Sequence, residues 1–321
     1  MGSLSKEILK KYGGNLLSGN FFSKQVKQVV PVSPSWDLHM GGIEEGTWTI
    51  ISGLPKVGKT TTALQICANA QAMGKHIYYH VVEGRLKDRD ISGVQGFSTD
   101  DSLFTPVSST EEQLLSAEDH LEIGRDILKN IPGCVWVLDS SSALCAQKEQ
   151  AGEITAQARN DGPKLLATFC RQMASVVPAN RSIVIIIQHL IANTSGYGAK
   201  YLEDGGNKIQ YQADNKMRCR GKTDWMDGDN QIGQIVTWDI ETASLKKPGQ
   251  KFDSYLRYGT GLDKYMEITK LSVDLGFIEK GGAWFTLPDK TKVQGENKLR
   301  DTIAANPDLF NMLYTKIKEI V

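Results

Sequence analysis

The sequence predicts an α/β fold with a mainly parallel central sheet and helices on both faces. Two observations carry that prediction. From Trp36 to about Glu241, short β-branched runs alternate with longer helical patterns, the order that builds parallel sheets from crossover units. Within that region, Gly53-Leu54-Pro55-Lys56-Val57-Gly58-Lys59-Thr60 has the spacing G-x-x-x-x-G-K-[ST] of a phosphate-binding loop, set between a strand-like and a helix-like run.

Taken in order, residues 1–35 read as an N-terminal arm. Leu4, Ile8 and Leu9 sit at helical spacing before Gly13-Gly14, and Phe21-Phe22 and Val29-Val30 are apolar anchors with no core of their own. Such an arm either packs on the main domain or docks on a neighbour. Residues 36–261 form the core, with strands expected at 47–52, 76–82, 134–138, 182–188, 211–218 and 233–240, and helices at 60–73, 111–130 and 163–177. Residues 262–321 read as a small α+β appendix. Its last helix starts at Asn306-Pro307, a capping residue followed by proline in the first turn.

Composition bounds the function. The chain has 321 residues, is 40% hydrophobic and 23% charged, and carries 37 basic and 37 acidic residues. That is ordinary for a globular protein, and any nucleic-acid surface must be local. No apolar run reaches the roughly 18 residues of a membrane span, and Met1 to Lys11 lacks the apolar centre of a signal peptide. The five cysteines are scattered with no C-x-x-C pair, which points to core residues in a reducing cytoplasm.

The loop's backbone N–H groups and the helix N-terminus behind it make a concave anion site, with Gly53 and Gly58 shaping the turn. Lys59 adds a charge for the β- and γ-phosphates, Thr60 is placed to hold Mg²⁺, and Thr61 continues the cradle. Together they point to a nucleoside triphosphate with Mg²⁺. Val135-Trp136-Val137-Leu138-Asp139 is an apolar strand ending in a carboxylate, the form that holds the metal's water shell, and Ser140 to Ser142 follow within reach of those waters. The run His76 to Val82 ends in Glu83, a carboxylate suited to orienting or deprotonating an attacking water. The run Ser182 to Ile187 ends in Gln188-His189, polar groups that either sense the γ-phosphate or, as spacing alone favours for the histidine, serve the structure.

On these residues the chain resembles the RecA-type recombinases, and is most similar to the UvsX-type recombinases of tailed phages. The likeness runs from about Phe21 to Val321. Its carriers are the Phe21-Phe22 arm, Gly53 to Thr60, Val81 to Leu86, Val135 to Leu144, Ile185 to His189 and Gly205-Gly206-Asn207. The stretch Gly276 to Phe285, with Trp284, looks like the C-terminal region of that family.

The resemblance implies a RecA-like ATPase core. It implies an ATP-driven helical filament on single-stranded DNA that pairs with a homologous duplex and exchanges strands. By that likeness Glu83 activates water, Asp139 serves Mg²⁺, His189 links nucleotide to DNA, and the arm polymerises head to tail. Single-strand-binding and loader proteins are expected partners; a membrane is not. Two DNA-binding loops are expected: Gln147 to Pro163, holding Lys148 and Arg159, and the segment from His189 to Lys208. The second holds Tyr197, Lys200, Tyr201, Gly205, Gly206 and Lys208, cations for phosphates and rings for bases. Arg218, Arg220 and Lys222 either line the DNA groove or form a solvated strand end.

The chain also departs from the family. The basic residues that commonly reach a neighbour's γ-phosphate fall at Thr242 and Ser244. Either Lys246 or Lys247 substitutes, or the interface works differently. The family's long acidic extension has no counterpart after Val321. Two other readings stand beside the recombinase. A ring helicase shares the core but usually adds an N-terminal helical domain, for which this arm is short. A nucleotide-responsive filament or regulatory protein with little turnover is disfavoured by intact Lys59, Thr60, Glu83 and Asp139.

Overall fold

The computed structural model describes residues 6–153, 161–193, 197–198, 200–204 and 207–320. It begins with α1 (Lys6–Tyr12), α2 (Phe21–Lys24), β1 (Val29–Val30), α3 (Pro34–Met40) and β2 (Ile43–Glu44), which pairs antiparallel with β1. The sheet-forming core follows with β3 (Trp48–Gly53), α4 (Lys59–Ala72), β4 (Ile77–Val81), α5 (Asp88–Ser92), β5 (Phe104–Val107), α6 (Ala117–Asn130) and β6 (Val135–Asp139). Next come α7 (Gln147–Gln150), α8 (Gly162–Met173), α9 (Val176–Ala179), β7 (Ile183–Ala192), β8 (Tyr201–Glu203), β9 (Asn215–Asp227), β10 (Asn230–Thr242), β11 (Lys251–Arg257) and β12 (Gly261–Leu262). The chain ends with α10 (Lys264–Asp274), β13 (Glu279–Gly281), β14 (Trp284–Thr286), β15 (Lys292–Gln294), α11 (Glu296–Ala305) and α12 (Pro307–Glu319).

The main sheet runs β12-β11-β10-β9-β3-β7-β6-β4-β5, with β8 paired to the outgoing end of β7. The strands from β9 to β5 are parallel; β10, β11 and β12 extend the sheet antiparallel. The central strands are near-continuous apolar runs because helices cover both faces. Their period of two divides the core. Ile51, Val137 and Ile185 face α4 and α3, while Ile50, Trp136, Leu138 and Ile186 face α6 and α8.

The strands expected at 47–52, 76–82, 134–138, 182–188 and 233–240 and the three long helices are present, with shifted ends. Helix α6 starts at Ala117, not 111, because a reciprocal cap sets its first turn. The Ser116 hydroxyl accepts from the Asp119 N–H at 3.2 Å, and the Asp119 carboxylate accepts from the Ser116 N–H at 2.8 Å. The strand expected from 211 begins at Asn215, after a 3₁₀ helix over Asn207–Tyr211. Strand β5 gave no signal because Pro106 sits inside it; at the sheet edge the missing donor is tolerated. The two expected loops are partly ordered: Gln147–Gln150 is a short helix, and β7 and β8 form a hairpin stem.

In the appendix, α10, α11 and α12 share a core with the small sheet, built on Ile268, Phe285, Leu299, Ile303, Leu313 and Ile317. Asn306 caps α12 by accepting from the Leu309 N–H at 3.1 Å, as its sequence predicts. This unit meets α3 through polar contacts. The Ser35 N–H donates to Glu267 at 2.9 Å and the Tyr314 hydroxyl donates to Asp37 at 3.2 Å. Glu267 is fully buried, and burial, with Asp37 nearby, pushes its carboxyl up to about 7. A raised carboxyl binds its proton better in the folded state, so stability is lost as pH rises from 4.5 through about 7. Glu267→Gln should therefore stabilise the protein at pH 8, by up to about 3 kcal/mol, and change little at pH 4. Urea unfolding at the two pH values tests this; an effect independent of pH would count against it.

Candidate functional site

The phosphate loop joins β3 to α4 at the carboxyl end of the sheet. Glycine is needed at both ends of it. A Cβ on Gly53 would lie 2.8 Å from the Cys219 Cβ, and Gly58 has φ of 83° with Leu256 packed on its open side. Lys59 is buried, and its ammonium donates to the carbonyls of Gly53 at 3.0 Å and Leu54 at 2.8 Å. Burial holds its pKa below the ordinary lysine value.

The strand ends deliver the acids. The Asp139 carboxylate accepts from the Thr60 hydroxyl at 2.9 Å and from the Tyr79 hydroxyl at 2.7 Å. Burial raises its pKa against those two bonds. Glu83 accepts from the Ser140 hydroxyl at 2.5 Å, its Oε1 lies 2.7 Å from His189 Nε2, and Arg85 stands 3.7 Å from its Oε2. The hydrogen bond to His189 is the largest cause of a Glu83 pKa pulled down to about 2, with Ser140 adding to it.

Gly58, Lys59, Thr60, Thr61, Glu83, Asp139 and His189 therefore line one cavity of about 300 Å³. Gly53 lies behind the loop as a carbonyl acceptor for Lys59. A larger cavity of about 510 Å³, between α4, α10 and α12, holds no residue of the loop; chemistry and not volume marks the site. The hydroxyl of Thr60 and the carboxylate of Asp139 are hard oxygen donors, and Asp139 is a half-buried acid whose pKa stays raised despite the nearby Lys59 charge. That donor set fits Mg²⁺.

The DNA-binding expectations fall on a second region. Tyr197 is 88% exposed, beyond the β7–β8 stem, and the Asn193 amide donates to its carbonyl at 2.7 Å. The Lys200 ammonium lies over the Tyr201 ring, 5.4 Å from its centroid. Lys200, Tyr201, Arg218 and Arg220 line a cavity of about 330 Å³ with Asp239 and Glu241. Arg218 pairs with Glu241 at 3.3 Å and Arg220 pairs with Asp239. Arg159, Gly205 and Gly206 lie outside the described residues, as does the side chain of Lys208. Of the expected trans positions, the Ser244 hydroxyl donates to Asn215 at 3.1 Å, and Lys246 lines a groove with Tyr314 and Lys318.

Sequence reasoning missed Arg85 on the wall of the first cavity and Tyr79 buried behind it. The Tyr79 hydroxyl on Asp139 was readable in principle, since Ile77, Tyr79 and Val81 alternate toward the loop-bearing face. Arg85 lies in the irregular stretch after the turn that follows β4 and leaves no periodic signal.

A strand–loop–helix cradle with a buried lysine, a carboxylate on its threonine and a second carboxylate across the cavity defines a phosphate-loop ATPase. The RecA N-terminal domain model matches residues 4–263, and the RecA C-terminal domain model matches residues 266–321. The chain belongs to the RecA family. Protein RecA of Mycobacterium marinum is 28% identical over 321 residues, covering 98% of this chain and 90% of that protein. Protein RecA of Mycobacterium avium is 28% identical over 318 residues, covering 98% and 89%. As a family member the chain is a DNA-dependent ATPase and strand-exchange recombinase that uses ATP with Mg²⁺.

If the His189 contact sets the charge state of Glu83, His189→Ala should raise the Glu83 pKa from about 2 toward the ordinary 4.5. Carbon-detected NMR of the glutamate side chains reads this directly. An unmoved Glu83 titration would assign the shift to other neighbours.

Proposed function

We propose that recombination by this chain is powered at the cavity of Lys59, Thr60, Glu83, Asp139 and His189, and that the β7–β8 hairpin carries its state to DNA. The observation behind the reading is the 2.7 Å contact between Glu83 and His189, because His189 stands on the strand whose outgoing end forms that hairpin. Gly53, Gly58 and Thr61 shape the cradle, and Lys59 turns from the loop carbonyls to the phosphates. Thr60 and Asp139 would hold Mg²⁺ through its waters. The metal neutralises charge developing on the β- and γ-oxygens. Glu83 orients the attacking water. Its oxygen bonds to the terminal phosphorus as the bond to the bridging oxygen breaks, its proton passes to Glu83, and ADP and phosphate leave.

While His189 and Ser140 hold it, Glu83 is a weak base. Release of the His189 contact when the hairpin engages DNA raises its basicity, which makes turnover depend on DNA. Tyr197, Lys200 and Tyr201 meet the strand from the hairpin. Arg159, Gly205, Gly206 and Lys208 join them in this reading. Residues 1–35 act as the polymerisation arm, 36–261 as the ATPase core and 262–321 as the C-terminal subdomain. Among the described residues no helix is long and apolar enough to cross a membrane; work on DNA in the cytoplasm with single-strand-binding and loader proteins belongs to this reading through the family likeness. The likeness to UvsX-type phage recombinases rests on the sequence segments alone, and with it a bacterial host cytoplasm.

Lys59→Ala should abolish nucleotide binding or turnover. Glu83→Gln should keep ATP bound and cut DNA-stimulated turnover by about 100-fold or more. Nucleotide binding, phosphate release and electron microscopy on single-stranded DNA check both. A Glu83→Gln protein that hydrolyses ATP normally removes Glu83 from the reaction, and closed rings in place of threads remove the filament.

A further inference from the structure

We infer that Arg85 is a catalytic residue of the ATPase, a cation acting within its own subunit on the terminal phosphate. Its place in the fold is the first argument. Gly84, with φ of 62°, closes a turn back to the Val81 carbonyl just after β4, and this turn sets Arg85 on the wall of the phosphate-loop cavity. Its bonding is the second. Arg85 is 83% exposed, and its approach to Glu83, at 3.7 Å, is worth little in water. Glu83 is held independently and more closely by His189 and Ser140, so the guanidinium can leave without releasing it.

Charge is the third argument. The cations on the cavity wall are Lys56, Lys59 and Arg85, against Glu83, Asp90 and Asp139. Lys59 rises from the floor of the loop, whereas Arg85 stands beside Glu83, on the side where water must attack. Thr242 and Ser244 at the outgoing end of β10 are neutral, and Lys246 lines a different groove with Tyr314 and Lys318. A guanidinium forks onto two phosphate oxygens, a geometry that lysine lacks. As the water oxygen bonds to phosphorus and the bridging oxygen departs, negative charge spreads over the oxygens that Arg85 can reach. Its pull is then stronger than in the ground state.

The inference rests on the cavity being the triphosphate site, and the test separates the two. Equilibrium binding of ADP and of a slowly hydrolysed ATP analogue is measured on the full chain, as wild type, Arg85→Ala and Arg85→Lys, beside DNA-stimulated turnover. Arg85→Ala should lose about 10-fold in affinity for the analogue and keep ADP affinity within about 2-fold, because only the terminal phosphate loses a partner. Turnover should fall by about 100-fold or more, with Arg85→Lys recovering part of both losses. Unchanged turnover, or equal losses for ADP and the analogue, overturns the assignment. Rescue on mixing Arg85→Ala with Lys59→Ala subunits would place Arg85 on a neighbour's nucleotide and overturn action within the subunit. A wild-type chain that binds neither nucleotide sinks the cavity reading itself.

Discussion

The register of the parallel ladder is the constraint on which the rest depends. Gly53 pairs with His189, Leu138 with Ile186 and Val81 with Asp139, so β4 and β6 end together, two residues short of the level at which β3 ends beside His189. Side chains alternate along a strand, so a slip of one residue would send Asp139 and His189 to the opposite face. The ladder is pinned by runs that are buried on both faces, where a slip would also exchange Ile51, Val137 and Ile185 for Ile50, Trp136 and Ile186 between two differently shaped cores. The same packing that stabilises the sheet thereby sets the distances in the cavity. An acid on a loop could not be held to 2.7 Å of a partner two strands away without this frame.

Strand β7 does two tasks with one backbone. Its buried half, Ile183–Ile187, sits between β3 and β6, and its outgoing half pairs with β8. His189 stands at the junction. Its N–H donates to the Ser142 hydroxyl at 3.0 Å, its carbonyl accepts from the Asp204 N–H at 2.9 Å, and its ring meets Glu83. The foot of the hairpin is tied down as well. Lys216, on β9, lies 2.6 Å from Glu203 and 2.7 Å from Glu241, and Gln210 donates to Glu203. These ties join the foot of the hairpin to His189, the residue to which the proposed coupling assigns the link between hairpin and cavity.

The cavity was largely legible in the sequence because its residues follow strong patterns. The loop glycines, Lys59 and Thr60 obey a fixed spacing, and Asp139, Glu83 and His189 each end an apolar run. What was not legible lacks periodicity or depends on distant partners. Strand β11 carries Phe252, Ser254 and Leu256 inward, and the serine, which accepts from the Trp36 indole at 2.9 Å, breaks the apolar alternation. The pairing of buried His80 with His120 at 3.2 Å joins β4 to α6 across 40 residues and leaves no local mark. The β7–β8 stem hid in a stretch read as glycine-rich loop, since a three-residue strand next to Gly205-Gly206 is too short to show alternation.

The protonation tendencies of the cavity describe a site built for an absent charge pattern. Burial depresses Lys59 and raises Asp139, so each is less comfortable ionised than it would be in water. Each group's charge favours the other's ionised form, but burial outweighs that attraction, and the hydrogen bonds of Lys59 go to backbone carbonyls while those of Asp139 come from hydroxyls. A polyanion bound with a divalent cation supplies both missing partners at once, an anion for Lys59 and a cation for Asp139. Glu83 differs: its hydrogen bonds hold it ionised without help. In the proposed reading, Lys59 and Asp139 therefore gain from binding, whereas Glu83 is restrained while His189 and Ser140 hold it. That division makes binding strong and reaction conditional, which is what a motor governed by its track requires.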